Sequence, residues 1–218
     1  MDNKTKEVRY LNTTIELRSM EENKESRHIE GYGCVFNQES QDMGFIEIIR
    51  SGAITEELIA QSDVCCFFNH DQNKLLGRSV NGEGTLKLSL DDHGLRFALD
   101  LPNTPDGDTV LELVRRGDIT ACSFAFCLAP DEDADEWIEV NGKYTRYINK
   151  IAGLFDVSPV VFPAYQGTEV SARSTESFEA FKQQKEQEKR EAEAKAEEQR
   201  VNALNEKHDA MLEDIKTW

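Results

Sequence analysis

The chain has 218 residues, 39% of them apolar and 31% charged, with a formal net charge of −17 and a pI near 4.7. That length suffices for one domain with a full core plus an appendage. The acidity argues against partners with phosphate backbones and against an anionic membrane surface. No run of about 18 apolar residues is present to span a bilayer. Met1–Tyr10 is polar, mixed in charge, and lacks the apolar centre of a secretion signal. A cytosolic protein with neither nucleic-acid nor membrane partners is expected. The five cysteines, Cys34, Cys65, Cys66, Cys122 and Cys127, are odd in number and show no C-x-x-C spacing. This favours reduced thiols packed as small apolar groups over a disulfide framework or a structural zinc site.

In chain order, the alternating stretch Thr13–Arg18 predicts a first strand. His28–Phe36 predicts a second, with a bend or bulge at Gly31 and Gly33. Phe45–Ile49 predicts a strand and Ile54–Ala60 a short helix, with Thr55, Glu56 and Glu57 at its start. Val64–Asn69 reads as a buried strand. Leu86–Leu90 and Leu95–Leu101 flank Asp91-Asp92-His93-Gly94, a hairpin signal. Thr104–Arg116 is a helix by its capping: Thr104 at the N-cap, Pro105 in the first turn, Gly117 at the end. Ile119–Leu128 predicts a strand. Trp137–Val140 and Tyr144–Ile148 flank Asn141-Gly142, the strongest hairpin signal in the chain. Ile151–Val157 and Val160–Phe162 close the body.

Residues 1–174 thus read as a β-rich α+β domain built on a β-barrel or strongly curved sheet. Residues 175–218 differ: they carry 12 acidic and 8 basic residues and no Gly or Pro. This predicts a charged helical tail with too few apolar positions for a sustained heptad seam.

Three segments place polar residues in apolar surroundings: Cys65–Asp71, Thr120–Cys127 and Leu154–Pro159. On a strand, Ala121, Ser123, Ala125 and Cys127 share one face, opposite Cys122, Phe124, Phe126 and Leu128. The small face would leave room for a substrate to approach the Ser123 hydroxyl. His70, at the end of an apolar stretch, suits a general base. Asp156, between Phe155 and Val157, is costly to bury without a partner. Nucleophile, base and orienting carboxylate are together the requirement of serine acyl transfer. Spacing alone does not bring them into contact. Asp71 is a rival orienter, and Cys122 and Cys66 are rival nucleophiles. His28, His93 and His208 receive no role, and Asp131–Glu136 reads as an exposed loop.

Five motifs in order resemble the HK97-type phage prohead (capsid maturation) serine protease family over roughly residues 12–173. They are Glu30–Phe36 with Arg50–Ala53 downstream, Phe68–Asp71, Cys122–Phe126, Phe155–Val160 and Phe162–Tyr165. The resemblance implies a closed β-barrel with a few surrounding helices, similar to herpesvirus assembly protease. It implies cleavage of capsid scaffold, and of the protease itself, inside the assembling prohead in the host cytoplasm. The catalytic serine carries over to Ser123 and the histidine to His70. The third position, usually Glu, is Asp156 here. Expected partners are the phage major capsid protein or its scaffold segment, and a homodimer is compatible with the herpesvirus likeness. No metal or organic cofactor is needed. Ala164–Gly167 is a candidate loop for oxyanion donors. The rival reading is a catalytically inactive, protease-like structural or scaffolding component of the head.

Overall fold

The computed structural model describes residues 6–12, 15–17, 26–161 and 172–216. The elements run β1 (Glu7–Asn12), β2 (Glu16–Leu17), β3 (His28–Val35), β4 (Ile46–Ile49), α1 (Glu56–Gln61), β5 (Asp63–Phe68), β6 (Asp71–Val80), β7 (Glu83–Gly84), β8 (Leu86–Leu90), β9 (Gly94–Asp100), α2 (Pro105–Arg116), β10 (Ala121–Leu128), β11 (Asp135–Val140), β12 (Lys143–Ile148), β13 (Ile151–Val160) and α3 (Ala172–Lys216).

Local chemistry sets most of these bounds. Thr55 caps α1, its hydroxyl accepting from the Leu58 N–H at 3.2 Å. Thr104 does the same for α2 through the Gly107 N–H at 3.2 Å, and Gly117 ends that helix with a left-handed φ of 76°. Asn141 and Gly142, at φ 54° and 75°, form the tight turn between β11 and β12. The second candidate strand is β3, and its bulge is real. Tyr32 pairs with Arg96 and Cys34 with Leu95, leaving Gly33 unmatched. A Cβ at Gly33 would come within 2.7 Å of Val157 Cγ1, so only glycine lets β3 lie this close to β13.

The strands form three sheets: β1-β10-β13-β5-β6-β7, β11-β12-β4 and β2-β3-β9-β8. One hydrophobic core joins them, drawing Ile29 and Phe97 from the last sheet, Ile148 from the second, and Val64, Phe124, Phe126 and Val157 from the first.

The architecture is α+β with mixed sheets, and it corrects the expectation of a closed barrel: among the described residues, no sheet closes on itself. Closure would need the end strands β1 and β7 of the large sheet to pair. β7 has two residues, both exposed, and the chain passes directly into β8, which belongs to a different sheet. So short a strand cannot supply a closing ladder.

Four strands depart from the sequence expectation. β1 lies in the segment expected to be merely polar. β6 and β7 fill a stretch that carried no prediction. Ile151–Val157 and Val160–Phe162 are not two strands, since one strand, β13, runs through Ser158 and Pro159 to Val160. Of the Thr13–Arg18 stretch, the described part holds β2. Of the Asp131–Glu136 run, Asp135 and Glu136 belong to β11, while Asp131 and Asp133 pair with Lys150 at 3.4 and 2.9 Å.

β1 is held by a buried ion cluster. Arg9 pairs with Glu7 of its own strand and with Glu47 of β4. Arg146 of β12 meets Glu7 at 2.8 Å, Glu47 at 3.1 Å and Asp135 of β11 at 2.7 Å. Burial alone would disfavour the Arg9 and Arg146 charges, yet the surrounding carboxylates win and hold both guanidinium groups more firmly protonated than usual.

The chain divides into two compact units, Met1–Arg173 and Ser174–Trp218. In the second, α3 exposes every residue from Glu186 to Asn205. It is polar all round and carries local pairs such as Arg190–Glu186 at 2.6 Å. Among the described residues, no helix is long and apolar enough to cross a membrane.

Candidate active site

The hairpin between β5 and β6 places His70. Phe68 pairs with Asp71, leaving Asn69 and His70 as the turn, both left-handed at φ 54° and 58°. This is the mirror-image turn that hairpins favour, and it costs a histidine some backbone strain. Asn69 pins it: its N–H donates to the Pro159 carbonyl at 3.1 Å, and its side-chain oxygen accepts from the Val161 N–H at 3.0 Å. The turn is thereby tied to the end of β13. The alternation of β5 stops at Phe68, because His70 belongs to a turn.

Ser123 sits in the middle of β10, between β1 and β13. Its register partners are Tyr10 on one side and Ser158 on the other, and Ala125 faces Asp156. Paired residues project to the same face, so Ser123, Asp156 and Ser158 emerge together.

The structure brings His70, Ser123 and Asp156 into one array. His70 Nε2 lies 2.6 Å from Ser123 Oγ, and His70 Nδ1 lies 2.6 Å from Asp156 Oδ1. The carboxylate can only accept, which fixes the ring proton on Nδ1 and leaves Nε2 with a lone pair toward the serine. Asp156 is 1% exposed. Burial pushes its carboxyl up, but the hydrogen bond and charge of His70, aided by Lys6, outweigh that and hold it below the ordinary carboxylate value. Lys6 Nζ donates to Asp156 Oδ2 at 3.1 Å.

Two expectations change, and one contact was not foreseen. Asp71 is engaged along its own strand instead, accepting from the Asn73 N–H at 3.0 Å. The small face of β10 is not open, since Ala121, Ser123 and Ala125 are all fully buried and Ser123 is 0% exposed. Small side chains leave space, and here neighbouring structure fills it. The unforeseen contact concerns the surroundings of Ser123. The Arg9 carbonyl of β1 accepts from Ser123 Oγ at 2.8 Å and competes with His70 for the single hydroxyl proton.

The cysteine rivals fare poorly as nucleophiles. Cys66 and Cys122 are fully buried, and burial drives both thiols well above their ordinary value, leaving almost no thiolate at neutral pH. Among the described residues, no group of three or more His, Cys, Asp or Glu is placed to hold a metal. His28 pairs with Asp100 at 2.9 Å, and His93 packs edge-on to Tyr32 at 4.5 Å. The loop Ala164–Gly167, the motif Phe162–Tyr165 and the His208 side chain lie outside the described residues.

Sequence reasoning missed the polar groups around Asp156: Ser158, two residues on, and Lys6. Ser158 lay inside a quoted motif, but nothing distinguished its hydroxyl from a turn residue beside Pro159. Lys6 carried no local signal.

The family model described as caudovirus prohead serine protease matches residues 13–184. No curated protein matches the chain. Among solved structures, the capsid assembly protease of bacteriophage T4 aligns at 13% identity with a TM-score of 0.40, covering 71% of this chain and 98% of that one. A likeness at that score carries no argument. The family match spans most of the chain, including His70, Ser123 and Asp156, and this protein belongs to the caudovirus prohead serine protease family, proteases of phage head maturation.

Proposed function

We propose that this chain is a serine endopeptidase that cleaves the scaffold segment of a phage capsid protein, and itself, during head maturation. Ser123 is the nucleophile, His70 the general base and Asp156 the orienting carboxylate. The observation that carries this reading is the continuous array Ser123–His70–Asp156, with both links at 2.6 Å.

His70 Nε2 accepts the hydroxyl proton as Ser123 Oγ bonds to the scissile carbonyl carbon. The imidazolium, held by Asp156, then returns that proton to the departing amine as the C–N bond breaks. A water molecule, deprotonated by His70 in turn, hydrolyses the acyl-enzyme and frees Ser123. The reaction needs the hydroxyl to turn from the Arg9 carbonyl toward Nε2, and it needs access to a serine that is buried in this conformation. The host cytoplasm, within the assembling prohead, is the proposed place of action, with capsid or scaffold protein as partner and a homodimer compatible.

Complete burial of Ser123 favours one second reading, a protease-like head component without activity. Co-expression with the cognate capsid protein, followed by electrophoresis and mass spectrometry, separates the two. The serine reading expects a shortened capsid protein, and truncated protease, with wild type but not with Ser123→Ala. Equal shortening by both chains would overturn the assignment of Ser123. An intact capsid protein with wild type would favour the inactive component.

A further inference from the structure

Asp156 presents two carboxylate oxygens to three donors from three places in the chain. Oδ1 lies 2.6 Å from His70 Nδ1 and accepts from the Ser158 hydroxyl at 3.0 Å, and Oδ2 accepts from Lys6 Nζ at 3.1 Å. Resting on the serine-protease reading above, we infer that Ser158 is a positioning residue of the reaction: its hydroxyl locks the Asp156 carboxylate in the orientation that holds His70.

The direction of the Ser158 hydrogen bonds is forced. Its oxygen accepts from the Phe67 N–H at 3.2 Å. Its one proton is then directed at Asp156 Oδ1, which can only accept. The β13–β5 pairing registers only Asp156 with Cys65. Beyond that point Phe67 finds its acceptor in a side-chain hydroxyl instead of a ladder carbonyl. The chain Phe67 N–H, Ser158 Oγ–H, Asp156 Oδ1, His70 Nδ1–H thus links the backbone of β5 to the base that its own hairpin turn carries.

Geometry also explains why this donor is needed. A carboxylate on one hydrogen bond can swing about its last torsion, which is broad and soft. His70 cannot supply the restraint alone, because it must itself be restrained. Lys6 is a third exposed and held by a long flexible stem, so its grip is screened. Ser158 is fully buried, lies two residues from Asp156 on the same strand face, and is held by two hydrogen bonds at the end of a single side-chain torsion. It is the rigid donor of the three. Outer partners of this kind typically change activity by about 10- to 100-fold when removed.

The competing account is structural: Ser158 merely satisfies the Phe67 N–H. Readouts that a structural role would leave alone separate the two. In purified full-length protein, Ser158→Ala should lower kcat by about ten-fold or more on a peptide spanning a cleaved capsid bond, with KM changed less than about two-fold. The downfield proton resonance of His70 Nδ1–H, assigned by its loss in Asp156→Asn, should move upfield and exchange faster. Ser158→Cys keeps the volume but is a weak donor and acceptor, so it should show the same changes in smaller measure. A folded Ser158→Ala chain with unchanged kcat and an unchanged resonance overturns the inference. If Ser158→Ala unfolds, Ser158→Cys with full kcat and an unmoved resonance does so. Unfolding of both variants assigns Ser158 to structure and likewise overturns it. Ser123→Ala is the parallel control: if it still cleaves, the serine reading itself fails, whereas loss there with no effect at Ser158 removes only the positioning role.

Discussion

Two buried polar constellations lie on opposite faces of β10 and its neighbours. On one face, Ser123, Asp156 and Ser158 meet His70. On the other, beside Phe124 and Phe126, Arg9 and Glu7 of β1 meet Glu47 and Arg146, with the Arg9 guanidinium 5.6 Å from the Phe126 ring. Both withdraw charge from water, and both satisfy it with short hydrogen bonds. They differ in what can move. The guanidinium–carboxylate cluster has no proton to give near neutral pH, so it can only hold strands together. The other places an imidazole, which has one nitrogen to accept a proton and one to donate, between an acceptor-only carboxylate and a hydroxyl. One arrangement is a clasp, and the other has the makings of the proton transfer proposed above.

This contrast can be broken by substitution, and the largest effect belongs to the proposed nucleophile. Ser123→Ala should reduce capsid-peptide cleavage by roughly a million-fold, below detection, while the thermal midpoint stays close to wild type. An active, folded Ser123→Ala chain would remove the distinction between the faces. Asp156→Asn comes next. An amide in place of the carboxylate would leave the imidazole in the wrong tautomer, and kcat should fall by roughly ten-thousand-fold, read in the same assay.

On the opposite face the expectation inverts. Arg146→Ala strands Glu7, Glu47 and Asp135 without their shared cation, and should cost about 3–5 kcal/mol in urea unfolding. Any loss of activity should then track the unfolded fraction. A full-strength protein after Arg146→Ala would show that the clasp is dispensable.

Acid sharpens the comparison further. The folded-state value of Asp156 is depressed, so its contribution to stability is fully present above the ordinary carboxylate value of about 3.9 and is lost as pH falls through the lower folded value. Asp156→Asn should therefore flatten the urea midpoint against pH between about pH 5 and pH 2. An unchanged slope would show that Asp156 does not carry this term. The smallest effect is assigned to Lys6→Met. Its ion pair is partly solvated, so kcat should drop only a few-fold, with high salt mimicking part of the loss in wild type.

Much of the local structure was legible because its causes are local. Thr55 and Thr104 name their helices through their own hydroxyls, Asn141-Gly142 names its hairpin through positive φ, and Gly33 marks a bulge. β1 escaped because Glu7 and Arg9 alternate along a strand as a solvent-facing pattern would, yet their partners are some 38 to 139 residues away. β13 was split because Pro159 ordinarily ends a strand. It is tolerated where the chain needs an acceptor for Asn69 and has no N–H to place.

The same division holds at the site. Sequence alone singled out the side chains of the proposed chemistry, Ser123 on an alternating strand, His70 before Asp71 and Asp156 between apolar neighbours, and the ordered motifs around them indicated the family. Only the tertiary structure decided that no sheet closes, that His70 reaches both Ser123 and Asp156 from a left-handed turn, that the face around Ser123 is shut, and that Ser158 and Lys6 complete the surroundings of Asp156. Residue type and alternation act over a few neighbours. Register between β1, β10, β13 and β5 is set by the whole packed core, and hydrogen-bond distances across those strands exist only once that packing is fixed.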